Sequence, residues 1–368
     1  MNCYILGLAV HPPAVSLHGF RLEEMVYHTA HAALENAGVT RGQLDHITLG
    51  ACDELDGRSI SSMLMAMPAG GYLVDEIKVT DSGAMAMCLE MARLKSEEFE
   101  IGLVSSWCKS SKTDVEAVMR LRGEPFYTRP FGINMAVSDA LFAQAVTAEF
   151  DIQPSEVSQR VVDNYERAHA NPRSIQHPVP DQASIASSAM EATPLRSLHR
   201  APLTDGAVSI VMVSERWLKK HPGHKPLARL AGVGWATDSY RLDRERLRSL
   251  RSARVAFKNA CRMANIQSTE DIDLIELESQ TGYHEAAYVR ALGLSSRTHV
   301  SPSGGAFAQN PLFCTGLVCA AEAILQVAGR AGPIQKKDVR RSVAHSCHGF
   351  AQQGNIFMVF EPVGGHLD

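Results

Sequence analysis

The segment between residues 299 and 316 restricts the fold of this 368-residue chain most strongly, because it places two turns directly before an apolar helix. Gly304 and Gly305 are adjacent, and glycine accepts positive φ angles and a close approach of backbone or ligand atoms. Pro311 has no N–H to donate and cannot extend a helix. The apolar run that follows therefore predicts a helix over about 313–328 that starts at this loop.

Strand-like and helix-like segments alternate along both halves of the chain, which predicts a layered α/β protein. In the N-terminal half, strands are predicted at 5–10, 47–51 and 101–105, with a helix at 23–37 that ends at Gly38. The C-terminal half repeats this order with a strand near 228–233, a helix over about 249–264, a strand at 273–277, and strands near Val343 and Phe357. Two topologically similar halves are expected.

The length and the turn residues indicate where the chain divides. A chain of 368 residues is long for a single core, since domains usually have about 100 to 200 residues. We expect an N-terminal half at 1–218 and a C-terminal half at 226–368, joined by a linker at 219–226. Residues 109–198 contain turn residues and few strand signals, so a segment of a different character is expected there.

Composition excludes several classes of protein. The net charge is −4, which gives no general electrostatic reason to bind nucleic acid or an anionic membrane. No apolar run approaches the roughly 20 residues of a membrane helix. Residues 1–10 lack the basic flank of a signal peptide and are interpreted as a buried strand, so a cytoplasmic protein is expected. The eight cysteines lack the spacing of a zinc site or a disulfide scaffold, so reduced thiols and no metal site are predicted.

Several separate segments carry a resemblance to a known family. They are the loop at 299–316, the helical stretch at 148–157, the helix and Asn-Pro turn at 164–173, and the Asp-Gly-Ala turn within 202–207. In order and spacing they resemble the sterol-carrier-protein or lipid-transfer branch of the thiolase superfamily, over nearly the whole chain. The resemblance implies a thiolase fold, in which two similar lobes form a layered αβαβα core. It also implies a loop domain at about 109–198, inserted in the N-terminal half over an acyl-coenzyme A pocket.

Two residues that start the usual thiolase reaction are replaced in this sequence. Thiolase chemistry uses a thiolate nucleophile at a helix N-terminus and a histidine that activates it. Thr80, in the segment 79–84 that resembles the nucleophile loop, stands where the family has cysteine. Asn310 stands at the histidine of the family's Gly-His-Pro triplet and is either a donor to the thioester oxygen or a packing remnant. A threonine hydroxyl has negligible alkoxide at neutral pH, so acyl transfer through Thr80 would need a strong local base.

Two other loops retain groups that move protons. Glu278, in the segment 276–282, lies where this branch has the histidine of Glu-Leu-His-Asp. It is either a general acid or base of raised pKa, or a carboxylate bonded to the loop backbone. Cys347 resembles the second catalytic cysteine, and the flanking His345 and His348 would lower its pKa if either approached it. The predicted catalytic residues are Cys347, Glu278, Asn310 and Thr80, and the residues predicted to bind the thioester are Ser303, Gly304, Gly305 and Gly349.

Two further patterns have open interpretations. Four arginines are spaced so that they would share one face of a helix, and they are Arg241, Arg244, Arg248 and Arg251. This face would either contact coenzyme A phosphates or an acidic partner, or be a solvated face beside Asp243 and Glu245. The methionines near the nucleophile loop fit an acyl pocket, a subunit interface or the core, and they are Met63, Met65, Met67, Met85, Met87 and Met91.

Together these features predict an enzyme that acts on acyl thioesters by a non-standard site, as an acyltransferase or as a carbon–carbon lyase or aldolase. No permanently bound cofactor is expected, and the substrate is a coenzyme A or carrier-bound acyl thioester. The alternative is a catalytically silent thiolase-like subunit that stabilises or gates an active partner. The resemblance implies a homodimer or a heterodimer with a thiolase-like subunit, and a small acyl-CoA-binding partner of oligonucleotide-binding fold. Nucleic-acid binding and a membrane span are not expected.

Overall fold

The computed structural model describes residues 2–364, so residues 365–368 of the predicted C-terminal half lie outside the described part. The strands are β1 (Cys3–Val10), β2 (His46–Ala51), β3 (Asp75–Thr80), β4 (Ile101–Lys109), β5 (Met190–Ala192), β6 (Leu195–Arg196), β7 (Asp205–Ser214), β8 (Ala228–Thr237), β9 (Leu274–Glu276), β10 (His299–Val300), β11 (Ser342–His348) and β12 (Gly354–Glu361). The α-helices are α1 (Leu22–Ala37), α2 (Asp53–Asp56), α3 (Ser62–Met65), α4 (Gly83–Lys95), α5 (Val115–Arg122), α6 (Met135–Phe150), α7 (Pro154–Ala170), α8 (Gln182–Ser187), α9 (Glu215–Lys220), α10 (Arg244–Ser249), α11 (Arg251–Met263), α12 (Gly282–Ala291) and α13 (Thr315–Val327).

The main sheet is mixed and repeats one strand order in its two halves. The order across it is β10-β9-β11-β12-β8-β1-β7-β4-β2-β3. If the strands of each half are numbered separately, both halves read third, second, fourth, fifth, first. In both, the second strand is parallel to the third and fourth, and the fifth strand is antiparallel. The halves meet where β1 pairs with β8, which confirms the predicted α/β architecture of two similar lobes.

Helices α4 and α13 form the central layer between the two half-sheets. Helix α4 contacts β2 and β4 of its own half and β12 of the other half, while α13 contacts β9 and β11 and also β1 and β7. Helix α1 packs on the outer face of the N-terminal strands, and α11 and α12 pack over the C-terminal strands. The layers are therefore α, β, α, β, α. Buried apolar side chains fill each interface, which supplies the main stabilising free energy.

The inserted segment of residues 109–198 contains helices α5 to α8 and the small β5–β6 hairpin. Helix α7 packs on α12 and ends at Asn171, whose amide donates to the carbonyl of Ser303 at 3.1 Å and to Glu322 Oε1 at 3.1 Å. Arg173 also donates to both carboxylate oxygens of Glu322. Buried hydrogen bonds to a charged group contribute about 1.5 to 3 kcal/mol each, so these contacts hold the segment against the C-terminal half.

Sequence patterns predicted helices α1 and α11 correctly and missed the short helix α10. Helix α1 ends at Gly38 with φ 69°, as predicted. The helix predicted over about 249–264 is confirmed as α11, whereas the separate helix α10 before it and the break at Leu250, where φ is 44°, were not predicted. Arg246 is buried and donates to the carbonyl oxygens of Phe350 at 2.6 Å and Ala351 at 3.1 Å. The break at Leu250 separates Arg248 from Arg251, and Arg241 lies before α10, so the single basic helix face does not form.

The methionines and cysteines divide between the core and the surface. Met65, Met87 and Met91 are buried, whereas Met63 is 80 % exposed and Met67 59 % exposed. All eight cysteines are free thiols, and Cys261 is partly exposed. Among residues 2–364, no helix is long and apolar enough to cross a membrane.

Candidate active site at the start of helix α13

A small cavity lies between the inserted segment and the C-terminal half, next to the loop before α13. Its volume is about 30 Å³, which is room for about two water molecules. The polar and aromatic side chains around it include Asp139, Glu278, Gln280, Phe313, Cys347 and Gln352. Strands β9 and β11 are adjacent and parallel, so the residues that follow β9 and those at the end of β11 meet at one edge of the sheet. This topology brings Glu278 and Cys347 together as the sequence predicts.

Glu278 is a buried carboxyl at the wall of this cavity, with 2 % of its surface exposed. Its Oε2 accepts from the Ser346 hydroxyl at 2.8 Å and from the Cys347 backbone N–H at 3.1 Å. Its Oε1 accepts from Gln280 Nε2 at 3.3 Å. Burial raises the pKa of Glu278 to about 7, against these hydrogen bonds, which lower it. Both protonation states are therefore accessible near neutral pH, which suits a general acid or base.

Cys347 carries a protonated thiol. Its Sγ donates to the backbone carbonyl of Glu278 at 3.5 Å. Burial, and then the nearby Glu278 and Asp139, raise its pKa well above the usual value. Burial lowers the pKa of His345 to about 4 and also lowers that of His348, so both imidazoles are neutral at pH 7. The flanking histidines therefore do not supply the positive charge that would favour a thiolate.

Asn310 lies in a closed network of buried hydrogen bonds. Its Nδ2 donates to Gln280 Oε1 at 2.7 Å, and Gln280 Nε2 donates back to Asn310 Oδ1 at 3.1 Å. The Thr315 hydroxyl donates to the same Oδ1 at 2.8 Å. The remaining Nδ2 hydrogen points to the carbonyl of Ala201 at 3.5 Å. Because its amide hydrogens are engaged, this arrangement favours the packing interpretation over a free donor to a thioester oxygen.

Thr80 lies apart from these groups. It is exposed at the end of β3 and does not line the cavity, whereas Phe313, whose φ is 66°, does. The carbonyl of Phe313 accepts from the N–H of Gly83 at 2.9 Å, and the Arg122 guanidinium lies 5.8 Å from its ring centroid. The structure therefore places Thr80 outside the cavity that Glu278 and Cys347 line, whereas Phe313, beside Arg122, forms part of the cavity wall.

The four residues predicted to bind the thioester lie in two different places. Gly349 is at the cavity, with φ 74°. Ser303 donates to Glu276 through its N–H at 3.1 Å and its hydroxyl at 2.6 Å. Gly304 has φ 92° and packs so closely on α7 that a Cβ there would lie 2.7 Å from that of Ala168. Together with Gly305, Ser303 and Gly304 form a buried turn that does not line the cavity.

Two archaeal proteins are similar to this chain over most of their length. The chain is 24 % identical over 352 residues to an acetyl-CoA acetyltransferase of Methanothermobacter thermautotrophicus, which covers 89 % of this chain and 91 % of that protein. It is also 24 % identical over 273 residues to an acetyl-CoA acetyltransferase of Methanocaldococcus jannaschii, with 72 % of this chain and 69 % of that protein covered. No protein-family model matches the sequence. These relatives support the thiolase superfamily. They do not distinguish the sterol-carrier branch, which stays a prediction.

Within this thiolase-like fold, sequence reasoning missed Asp139. Asp139 lies on α6, is 5 % exposed and lines the cavity. Its Oδ2 has no hydrogen-bond partner among the described residues, and its Oδ1 lies 3.7 Å from His284 Nε2. Burial raises the pKa of Asp139 to about 7. The available signal was an aspartate in the mainly apolar first half of the helix Met135–Phe150, where an unpaired charge is costly.

One cluster of metal-ligand side chains is occupied by an arginine. Cys52, Glu54 and Asp81 offer ligand atoms within 4.8 Å of one another. Arg122 donates to Cys52 Sγ at 3.1 Å, to Glu54 Oε2 at 2.6 Å, and to Asp81. The guanidinium thus supplies the positive charge that this acidic corner needs.

Proposed function

We propose that the protein acts on acyl-CoA thioesters by proton transfer within the Glu278–Cys347 cavity, as a carbon–carbon lyase or aldolase rather than through a covalent acyl-enzyme. The observation that carries this proposal is Glu278, a buried carboxyl of pKa about 7 at a cavity wall beside a protonated thiol. The substrate class comes from the two relatives named acetyl-CoA acetyltransferase. The position of Thr80 outside the cavity supports a route without an acylated side chain.

The chemistry that these groups support is formation and protonation of a thioester enolate. An ionised Glu278 accepts a proton from the α-carbon of the thioester, and a protonated Glu278 returns one. The Cys347 thiol is a second proton donor, because its raised pKa disfavours the thiolate needed for nucleophilic attack. Glu278 Oε2 lies beside the first turn of α13, where a Cβ at Gly316 would be 2.9 Å away. The positive end of that helix stabilises negative charge in this region.

Substrate binding requires the cavity to widen. Ligand pockets usually have about 300 to 1,000 Å³, whereas this cavity has about 30 Å³. The walls that lie toward solvent come from the inserted segment and from the turn between β11 and β12, which includes Gly349. We expect the thioester to enter by displacing these walls, while the carboxyl and thiol stay on the sheet edge.

Association with a second thiolase-like subunit is part of the proposal. Strand β3 lies at the edge of the sheet, so its outer N–H and C=O groups are available for pairing. Large apolar side chains are exposed nearby, with Leu73 91 % and Met63 80 % exposed. An antiparallel pairing of β3 with its counterpart would cover this surface. Phe126 and Phe131 expose a second apolar surface on the inserted segment, which is available to a small acyl-CoA-binding partner.

The second candidate is a catalytically silent subunit of a thiolase-like complex. The closed Asn310–Gln280 amide pair and the small cavity favour it, since neither is ready to receive a thioester. In that case the exposed β3 surface would be the functional part of the molecule.

Incubation with a panel of acyl-CoA thioesters distinguishes these functions. Intact-protein mass, peptide mapping and product analysis are measured for the wild type, Glu278→Gln and Cys347→Ala. Glu149→Gln is the control, because Glu149 is exposed on α6. Product without an adduct, lost in Glu278→Gln, supports the proposal. An acyl adduct on Cys347 or Thr80 would contradict it in favour of covalent transfer, and the absence of both product and adduct would favour the silent subunit.

A further inference from the structure

We propose that Asp139 is a second proton-transfer residue of this cavity, positioned by His284 and acting together with Glu278. This inference rests on the proposed function. It assigns chemistry to the inserted segment, because Asp139 comes from α6 whereas Glu278 and Cys347 come from the C-terminal half. The reaction would thus use residues from both sides of the cavity.

The surroundings of Asp139 do not fit a structural carboxylate. Buried carboxyl groups that serve only packing are normally hydrogen-bonded or paired with a cation. Asp139 is 5 % exposed, and its Oδ2 lacks a hydrogen-bond partner within residues 2–364. Glu278, by contrast, has hydrogen bonds on both oxygens. The free lone pairs of Asp139 therefore lie at a cavity where a substrate hydroxyl can donate to them.

The arginine near Asp139 is already paired with other residues. Arg200 donates to Glu116 at 3.0 Å and to Glu191 at 2.9 Å. Its single positive charge is more than offset by these two carboxylates, so Arg200 is not a dedicated cation partner for Asp139. The titratable groups that face Asp139 from the surrounding elements are Glu116, Glu191, Arg200, His284, Tyr288 and Cys347.

His284 is arranged to orient Asp139 without neutralising it. The backbone N–H of His284 donates to the Thr281 hydroxyl at 3.2 Å, and that hydroxyl lies 3.0 Å from His284 Nδ1. With the hydroxyl proton assigned to Nδ1, the ring proton is on Nε2. Nε2 has no hydrogen-bond partner within the described residues and lies 3.7 Å from Asp139 Oδ1, just beyond hydrogen-bond distance. The ring packs on Phe142, with centroids 4.6 Å apart. Burial lowers the pKa of His284 to about 3, so the ring is neutral.

In the cleavage of a 3-hydroxyacyl thioester, Asp139 would act as the base and Glu278 as the acid. The Asp139 carboxylate takes the proton of the 3-hydroxyl group, and the O–H electron pair forms the new carbonyl. The bond between the α- and β-carbons breaks, and its electron pair passes to the thioester as an enolate. Protonated Glu278 then gives its proton to the α-carbon. Asp139 has gained one proton and Glu278 has lost one, so the atoms and charges balance.

Two probe reactions separate Asp139 from Glu278. Acetyl-CoA in D₂O reports exchange of the α-hydrogens, which needs Glu278, whereas cleavage of 3-hydroxybutyryl-CoA to acetaldehyde and acetyl-CoA needs both carboxyl groups. We expect Asp139→Asn to reduce cleavage by about 100-fold or more and exchange much less. Glu278→Gln should reduce both. Because cleavage needs ionised Asp139 and protonated Glu278, wild-type kcat/KM should follow a bell-shaped pH profile with its maximum near pH 7. The rise on the acid side should disappear in Asp139→Asn, while Glu149→Gln retains it.

The outcomes of these reactions distinguish failure of the inference about Asp139 from failure of the proposed function. Equal cleavage by the wild type and Asp139→Asn would overturn the inference alone. Equal loss of exchange and cleavage in that variant, with unchanged circular dichroism and substrate KM, would also overturn it. If the wild type performs neither reaction, the proposed function fails and the inference with it.

A thiol measurement tests the geometry independently of turnover. The rate of Cys347 alkylation is measured by peptide mapping as a function of pH. In Asp139→Asn the increase of this rate with pH should begin at a lower pH than in the wild type, because Asp139 raises the pKa of that thiol. An unchanged profile would overturn the placement of Asp139 beside Cys347.

His284→Leu should slow cleavage through kcat with little change in KM, and His284→Gln, which retains a donor, should restore part of the rate. Wild-type kcat in His284→Leu would overturn the positioning role.

Discussion

Replacing Glu278 with glutamine should change the dependence of stability on pH. Burial raises the pKa of Glu278 from 4.5 to about 7. Between these values the folded protein binds more protons than the unfolded chain, so its stability falls as pH rises. The contribution is fully present below about pH 4.5 and lost through about pH 7. At 1.36 kcal/mol per pKa unit, the loss is about 3 kcal/mol.

The Glu278→Gln variant has no titrating group at this position, and it loses an amount of folding stability that does not depend on pH. The oxygen of the introduced amide can accept from Ser346 and Cys347, but its NH₂ would face the Gln280 Nε2, which is 3.3 Å from the present carboxylate oxygen. One such donor–donor contact costs about 1 kcal/mol. The variant should thus be less stable by about 1 kcal/mol near pH 4.5 and more stable by about 2 kcal/mol near pH 8.5.

Urea unfolding followed by tryptophan fluorescence measures this difference across the pH range, since the chain has three tryptophans. At about 2.1 cal/mol/K of unfolding entropy per residue, 3 kcal/mol corresponds to about 4 °C in Tm for 368 residues. The exposed substitution Glu149→Gln should show little dependence on pH. A difference between Glu278→Gln and wild type that stays constant over the whole range would refute the reasoning.

Three further outcomes can be checked. Gly316→Ala would place a Cβ against the Ser346 hydroxyl and should destabilise the fold by about 2 to 3 kcal/mol in denaturant unfolding, whereas Gly42→Ala, which has open space, should have little effect. Asn310→Ala should cost about 2 to 3 kcal/mol by leaving its buried amide partner unpaired, and lost turnover with unchanged stability would instead indicate a donor to the thioester. Leu73→Asp should dissociate a dimer in sedimentation velocity, while Val15→Asp, also on an exposed apolar residue, should leave the mass unchanged.

The layered architecture was accessible from the sequence because it depends on local signals. The helix over Leu22–Ala37 and its end at Gly38 follow from apolar spacing and a glycine that accepts positive φ. The break between α10 and α11 had no such signal, since Leu250 is neither glycine nor proline. It accompanies the burial of Arg246 against carbonyl groups more than a hundred positions later, which is tertiary information.

The candidate site divides in the same way. Glu278 and Cys347 were predicted as site residues from their resemblance to two thiolase loops, and the parallel pairing of β9 with β11 explains why they meet. Asp139 reaches the same cavity from a helix of the inserted segment, and no local pattern states where that helix packs. The neutrality of His345 and His348 was equally hidden, since their pKa values follow from burial rather than from the cysteine beside them in sequence.

The central position of β1 sets an order of events for the growing chain. This strand is completed only by residues 205–214 on one side and 228–230 on the other. Synthesis at about 5 to 20 residues per second puts its first partner roughly 10 to 40 s behind it. During that interval the apolar faces of the N-terminal strands lack their shared neighbour, so we expect the newly made chain to depend on chaperones until β7 has emerged.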